Sequence, residues 1–146
     1  MDFETKVKVA IYTATAESGR VPGLADVAHR VQASPEAVTE AFARLRASRL
    51  LWLEPDGITI RIAPPFSAVP TQHLVSVAGI DYFATCAWDA LGIVAALRQT
   101  GIVHSRCEQS LEPLELDVHL TGPEPSPWLF HCLVPAARWW DDLVLT

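Results

Sequence analysis

The stretch from Gly79 to Leu97 constrains the fold of this chain more than any other. Apolar residues such as Trp88 and Leu91 recur there at intervals of three and four, which predicts a helix packed against a core. One thiol and one carboxyl, those of Cys86 and Asp89, interrupt the apolar pattern. We therefore expect a central helix that holds two chemically active groups close to the core.

Cys86 and Asp89 are three residues apart. In a helix their side chains would project from one face, about 5 to 6 Å apart at the Cβ atoms. Burial should raise the pKa of both groups and keep the carboxyl protonated. The pair would then place a soft nucleophile or metal ligand beside a proton donor. A plainer alternative stays open, in which Cys86 is a small buried hydrophobic residue and Asp89 is a local cap or ion-pair partner.

Composition limits the classes of protein to which the chain can belong. Its 146 residues suffice for one ordinary domain, or for two small ones that share a core. The net charge of -6 argues against nonspecific attraction to nucleic acid or to anionic lipid. No apolar run approaches the roughly 20 residues of a membrane span, and the acidic N-terminus does not resemble a signal peptide. We therefore expect a cytoplasmic protein.

The cysteines do not describe a disulfide framework. Cys86, Cys107 and Cys132 are odd in number, irregularly spaced and form no Cys-x-x-Cys pair. Reduced thiols are the expected state, as in most cytoplasmic proteins.

Residues 1–66 have the outline of a winged helix-turn-helix module. Apolar spacing, with a glycine stop at Gly19 and a Ser34-Pro35 start signal, predicts three helices. A segment of alternating apolar and polar residues then predicts a β-hairpin. We expect a structural or dimerising module, and a homodimer stays open. The predicted helices cover residues 5–16, 24–31 and 35–48, and the hairpin covers residues 50–62.

Charge argues against DNA binding by this module. Residues 1–66 contain equal numbers of acidic and basic side chains, and the predicted third helix begins with Glu36 and carries Glu40 one turn later. Two carboxylates at that end of a recognition helix would repel phosphates. The cluster of three arginines that begins at Arg44 keeps a transcriptional regulator open as an alternative.

A proline-rich linker over residues 63–70 separates the module from a second domain over residues 67–146. We predict a small mixed α/β domain in which the Cys-x-x-Asp helix packs on antiparallel strands, so the fold class of the chain is α+β. The last predicted strand would place Cys132 on a core face with Phe130 and Val134. A further apolar element is predicted to begin at residue 143. The predicted strands cover residues 71–78, 102–107, 114–120 and 128–134.

Taken together, these features resemble the organomercurial (alkylmercury) lyase family over nearly the whole chain. The matching segments are Tyr82–Leu91, His104–Cys107, Leu133–Pro135 and Trp139–Asp142. The resemblance implies protonolytic cleavage of carbon–mercury bonds, with Cys86 as the mercury-binding thiolate and Asp89 as the proton donor. It implies no cofactor, since mercury enters with the substrate and external thiols accept it. The expected partner is a small organomercurial.

One part of the family pattern is missing from the sequence. The resemblance places a second catalytic cysteine just beyond residue 146, so we expect either a shortened chain or a naturally shorter relative. Cys107 matches a structural cysteine of the family, and Cys132 is the remaining candidate for a second mercury ligand. A catalytically inactive relative, which binds a soft metal or a small apolar ligand through Cys86, is therefore an alternative to an active lyase.

Overall fold

Helices and antiparallel sheets follow one another along the chain, which makes the protein α+β. The computed structural model describes residues 1–132 and 134–143. The helices are α1 (Phe3–Ser18), α2 (Leu24–Val31), α3 (Pro35–Ala47) and α4 (Ala87–Leu97), and Ala136–Asp141 form a short 3-10 helix. The strands are β1 (Trp52–Leu53), β2 (Ile60–Ala63), β3 (Phe66–Ser67), β4 (Leu74–Val77), β5 (Ile80–Phe83), β6 (Gly101–Arg106), β7 (Pro113–His119) and β8 (Gly122–Pro123).

Two helix ends lie at signals predicted from the sequence, the stop of α1 at Gly19 and the start of α3 at Ser34, and α1 begins two residues earlier than predicted. The Asp2 side chain caps α1 by accepting a hydrogen bond from the Thr5 amide at 2.8 Å. Gly19 ends α1 in the left-handed conformation, with a φ of 75°. Ser34 caps α3, which has Pro35 in its first turn. The first three helices and the β1–β2–β3 sheet share one core. Its buried side chains include Val7, Ile11, Val27, Val38, Phe42, Leu45, Leu51 and Ile60.

The predicted linker over residues 63–70 contains a short strand. Phe66–Ser67 form β3, which pairs antiparallel with β2, and Phe66 also forms a bridge to Ala84. Phe66 is 2% exposed and belongs to the second core. The prolines on either side hide this pairing in the sequence, because strand pairing depends on partners that are distant along the chain.

A five-stranded antiparallel sheet, in the order β5-β4-β6-β7-β8, forms most of the second half. Helix α4 packs on one face of this sheet. The predicted strands over residues 102–107 and 114–120 are confirmed as β6 and β7. The side chains buried between α4 and the sheet are Val75, Val77, Tyr82, Ala90, Ile93, Val94, Val103 and Val118.

The central stretch is a strand followed by a helix. Strand β5 pairs with β4 through the turn at Gly79, whose φ is 82°, and α4 begins only at Ala87. The prediction of a single helix from Gly79 to Leu97 is therefore wrong for residues 79–86. Apolar spacing misled here because Phe83 and Trp88 belong to two different elements.

The predicted strand over residues 128–134 is also wrong for the residues that the structure describes. Trp128 to Cys132 form no strand, and Leu133 lies outside the described residues. Prolines at 123, 125 and 127 have no amide to donate to a β-ladder, so pairing with the sheet stops at β8. The apolar element predicted from residue 143 onward lies, after Leu143, outside the described residues. In the described part of the chain, no helix is long and apolar enough to cross a membrane.

Candidate active site

Cys86 and Asp89 meet at the N-terminus of α4. Cys86 is the residue immediately before the helix and has the extended backbone of an N-cap, with φ of −148° and ψ of 177°. Asp89 lies in the first helical turn, at the third helical position. An N-cap side chain points back toward that position, so the two groups come together at the end of the helix and not along its side. The juxtaposition expected from the sequence is present, but its cause is different.

Burial governs the protonation of this pair. It raises the pKa of Asp89 to about 6, although the Thr85 hydroxyl and the Cys86 thiol both counter the rise. Burial also raises the pKa of the Cys86 thiol. The Asp89 charge adds to that rise, and the Asp89 and Trp88 amides at the helix N-terminus oppose it.

These pKa shifts place the proton on sulfur at neutral pH. A carboxyl with a pKa of about 6 is mostly ionised near pH 7, whereas a thiol with a raised pKa is protonated. The rise in the pKa of Asp89 through burial that was expected from the sequence is present, and it brings the carboxyl close to the pH range in which it gains or loses a proton. The pair holds one proton that can move between sulfur and oxygen.

Thr85 is a site residue that sequence reasoning missed. Its Oγ1 is buried and, among the described residues, has no hydrogen-bond partner of normal length and angle. It still lies close enough to Asp89 to lower the pKa of that carboxyl. Buried hydroxyl groups nearly always have a partner, so this one is available to Asp89 or to a guest in the site. The signal in the sequence was only its position next to Cys86.

Aromatic residues flank the pair on two sides. The Trp88 side chain is 55% exposed, and its ring lies 6.0 Å from that of Phe130, measured between centroids. Tyr12 of α1 is close enough to the pair for the Asp89 charge to act on its phenol. Burial and then the charge of Asp89 raise the pKa of the Tyr12 phenol to about 12. The site is therefore bordered by α4, by α1 and by the segment that contains Phe130.

The structure does not build Cys132 into this pair. Cys132 is exposed, and its thiol donates a hydrogen bond to the Val134 carbonyl oxygen at 2.8 Å. The predicted core position for Cys132 is wrong, because the segment is not a strand. Within the described residues, Cys132 is not among the groups that shift the pKa of Cys86 or Asp89. The same residues contain no group of three or more His, Cys, Asp or Glu side chains that could hold a metal ion.

The thiols of Cys107 and Cys86 lie in different environments. Cys107 lies in the turn after β6, where its sulfur accepts a hydrogen bond from the Ser110 amide at 3.5 Å. The Ser110 hydroxyl and this amide lower the pKa of the Cys107 thiol. This is the opposite direction to the shift at Cys86.

Thiol labelling should follow that difference. At neutral pH, iodoacetamide should modify Cys107 faster than Cys86, because the thiolate is the nucleophile and the two pKa shifts run in opposite directions. Peptide mass spectrometry over a time course measures both rates, and the denatured protein is the control in which the rates converge. Faster labelling of Cys86 in the folded protein would contradict a desolvated thiol at that position.

Fold and site together define an α+β protein with a thiol and a carboxyl paired at the start of a buried helix. The family model described as alkylmercury lyase, MerB, matches residues 66–146. This match covers more than half of the chain, so the chain belongs to the alkylmercury lyase family. The resemblance found in the sequence is confirmed.

A solved structure shares the fold. The crystal structure of the mercury-bound form of MerB2 is similar to this chain with a TM-score of 0.64 and 22% sequence identity. The similarity covers 84% of this chain and 60% of that one, so this chain spans about three fifths of the neighbour's length. None of the curated proteins compared with the chain matches it.

Proposed function

We propose that this protein is an organomercurial lyase that cleaves carbon–mercury bonds by protonolysis. Cys86 would act as the mercury-binding thiolate and Asp89 as the proton donor. The observation that supports these roles most directly is the pair itself, a protonated thiol beside a partly buried carboxylate whose pKa is about 6. Membership of the alkylmercury lyase family supports the same class of reaction.

Binding of the substrate is the first step of the proposed reaction. Mercury is a soft ion and prefers thiolate sulfur to oxygen or nitrogen ligands. A sulfur–mercury bond forms at Cys86, the thiol proton moves to the Asp89 carboxylate, and the anion that mercury carried leaves. The raised pKa of Asp89 suits this step, because a more basic carboxylate accepts the proton more readily.

The second step, protonolysis, uses the proton that Asp89 has taken from Cys86. Asp89 donates it to the mercury-bound carbon, the electron pair of the carbon–mercury bond forms the new carbon–hydrogen bond, and the hydrocarbon leaves. Mercury stays on the Cys86 sulfur without a change in oxidation state. One external thiolate becomes the second ligand of mercury. A second external thiol then takes the place of Cys86 on mercury and gives its proton to the Cys86 sulfur, which releases mercury as a bis-thiolate complex and regenerates the pair. No cofactor is needed for this sequence of steps.

The second thiolate is the part of the proposal that depends on solution conditions. We assign it to an external thiol, because Cys132 is exposed and bonded to its own segment. Cys132 stays an alternative as a second metal ligand, since Phe130, two residues earlier, contacts Trp88 beside the pair. A reducing compartment such as the cytoplasm would supply both the external thiol and the free state of all three cysteines.

We also infer that the two halves of the chain have different roles. Residues 1–66 would form a winged-helix-like structural module and residues 67–146 the alkylmercury lyase-like domain. Two separate clusters of buried side chains support that division. Arg44 forms an ion pair with Glu4, and the Arg46 guanidinium lies 5.9 Å from the centre of the Trp52 ring. Arginines engaged inside the module favour a structural role over DNA binding.

A catalytically inactive relative remains the second candidate. In that case Cys86 would bind a soft metal or an organomercurial and release nothing. The observation that favours it is the position of Cys132, which leaves Cys86 as the single thiol of the pair. One thiolate polarises a carbon–mercury bond less than two do.

The experiment that separates these candidates uses a phenylmercury salt and an excess of a small thiol. Repeated release of benzene above the blank that contains thiol alone would support the lyase. Uptake of one mercury per chain without benzene would support the inactive relative. If the protein neither binds mercury nor releases benzene, both proposals are wrong.

A further inference from the structure

Helix α1, from the other end of the chain, reaches the candidate active site. The Tyr12 phenol of α1 donates a hydrogen bond to the Pro64 carbonyl oxygen at 2.8 Å. The Tyr12 ring packs against Phe66, with 6.2 Å between centroids. Tyr12 also contacts both clusters of buried side chains, so it lies where the two halves of the protein meet.

The turn that accepts this hydrogen bond packs on the face of α4 that carries Asp89. Gly92 is three residues after Asp89 and therefore shares its face of α4. A Cβ atom added at Gly92 would lie 3.4 Å from the Pro65 Cβ, so the Pro65 ring rests directly on that face. The residue before Pro65 is Pro64, whose carbonyl oxygen accepts the hydrogen bond from the Tyr12 phenol. The phenol is therefore bound next to the proline that packs on α4. The charge of Asp89 accordingly adds to the effect of burial on the pKa of Tyr12.

Further contacts fix α1 in this position. At its C-terminal end, the Ala16 carbonyl oxygen accepts a hydrogen bond from the Tyr82 phenol at 2.7 Å. Gly19 lies so close to β5 that an added Cβ would be 2.3 Å from a backbone oxygen of that strand. The Phe66 ring contacts both Tyr12 and Tyr82, the second at 5.6 Å between centroids. Tyr12 is therefore fixed by its own hydrogen bond to Pro64, and α1 is fixed by its contacts with β5.

We propose that Tyr12 is a positioning residue of the active site and that, with the Pro64–Pro65 turn, it keeps bulk water away from the Cys86–Asp89 pair. The N-terminal module then completes the site as well as stabilising the fold. A dry pair suits protonolysis because water would compete with the mercury-bound carbon for the proton. The inference rests on the proposed function for the identity of the site, but the shielding itself can be measured without any substrate.

The strands under α4 contribute mainly apolar side chains, including Val75, Val103 and Val118. Among the described residues they also contribute the Tyr82 phenol, whose pKa is raised by burial with no contribution from Asp89. The groups that act on the Asp89 carboxyl among the described residues are its neighbours Thr85 and Cys86, and Tyr12 is the phenol on which Asp89 acts. Where α1 borders the site, shielding therefore depends on Tyr12 and the proline turn.

The test measures iodoacetamide labelling of Cys86 in a chain in which Cys107 and Cys132 are replaced by serine. Tyr12→Ala should increase the labelling rate about tenfold, because it removes the ring that separates the thiol from solvent. Tyr12→Phe keeps the ring and should return the rate to within about twofold of the parent. If Tyr12→Ala does not fold, Tyr12→Leu provides the same comparison, since it also removes the ring.

Phe3→Ala is the matched control. It removes another partly buried ring of α1, which packs against the cluster built by the first three helices and is not among the residues of the cluster around α4. Its labelling rate should stay within about threefold of the parent. Equal acceleration by Tyr12→Ala and Phe3→Ala would show general loosening and overturn the proposal, as would an unchanged rate in Tyr12→Ala.

Turnover gives a readout that a purely structural role would not change. With a phenylmercury substrate, loss of shielding should lower kcat and leave KM nearly unchanged, because proton transfer is affected and mercury binding is not. Tyr12→Phe should rescue kcat. Failure of the proposed lyase function is distinguishable, because it would show as absence of benzene from the unsubstituted protein while the labelling differences persist.

Discussion

Replacing Cys86 with serine should abolish tight mercury binding at the site and hydrocarbon release together. Serine has nearly the same size, but its hydroxyl is a hard ligand that stays protonated at neutral pH and competes poorly for a soft ion. We expect turnover to fall about 1,000-fold or more, since Cys86 is the thiol that the described part of the chain places beside Asp89. Mercury retained after dialysis against a competing thiol measures binding, and gas chromatography of the hydrocarbon measures turnover.

The matched control is Cys107→Ser. It removes a thiol of lowered pKa that lies in the turn after β6 and outside the pair. Binding and turnover should both stay within about twofold of the parent protein, because the Cys86–Asp89 pair is unchanged. Loss of mercury binding in Cys107→Ser, with binding retained in Cys86→Ser, would move the site to the other thiol and refute the assignment.

The helices near the N-terminus could be predicted because their signals are local. Ser34 caps α3, which follows it, and Gly19 ends α1. Each of these residues acts on amides or carbonyls within a few positions of itself, so the sequence contains the whole cause.

The central stretch could not be predicted in the same way, because half of it depends on a distant partner. Residues Ile80–Phe83 become a strand by pairing with β4, and β4 in turn pairs with β6. An apolar spacing of three and four does not reveal such pairing. The strand predicted around Cys132 fails for the converse reason, since alternation alone does not supply a neighbour with which to pair.

The Cys86–Asp89 pair is robust to that error. Residues three apart meet along a helix face, and an N-cap also meets the third residue of its helix, so both arrangements bring the thiol and the carboxyl together. Tyr12 could not be found in this way. It lies far from Asp89 in the sequence and reaches the site through packing and the Pro64 hydrogen bond.

Replacing Asp89 with asparagine should separate binding from cleavage. The amide cannot carry the proton from sulfur to carbon, so hydrocarbon release should fall about 100-fold or more while uptake of one mercury per chain persists. Mercury uptake without hydrocarbon release in Asp89→Asn, beside loss of both in Cys86→Ser, would assign the two roles separately. Full turnover in Asp89→Asn would show that the proton comes from elsewhere.

The same substitution should stabilise the protein near neutral pH, for a reason that follows from the pKa. Asp89 has a folded-state pKa of about 6, above its ordinary value of 3.8, so the folded state binds this proton more tightly than the unfolded chain does. The stabilising contribution is complete below pH 3.8 and is lost as the pH rises to about 6, above which the buried charge destabilises the fold.

Asparagine removes that charge, so its effect should depend on pH. Near pH 7, Asp89→Asn should increase the free energy of unfolding by about 1 to 2 kcal/mol, a value that allows for partial exposure of the carboxyl. Near pH 4 the gain should nearly vanish, because the carboxyl of the parent protein is then neutral in the folded state. Urea unfolding at both pH values measures the difference. Asp117→Asn, which removes an exposed carboxyl of β7 away from the pair, is the matched control. An equal gain in the free energy of unfolding at both pH values would mean that asparagine packs better than aspartate. A gain confined to neutral pH would show that the charge of Asp89 lowers the stability of the protein. Such a cost is expected of a group that is retained for its chemistry.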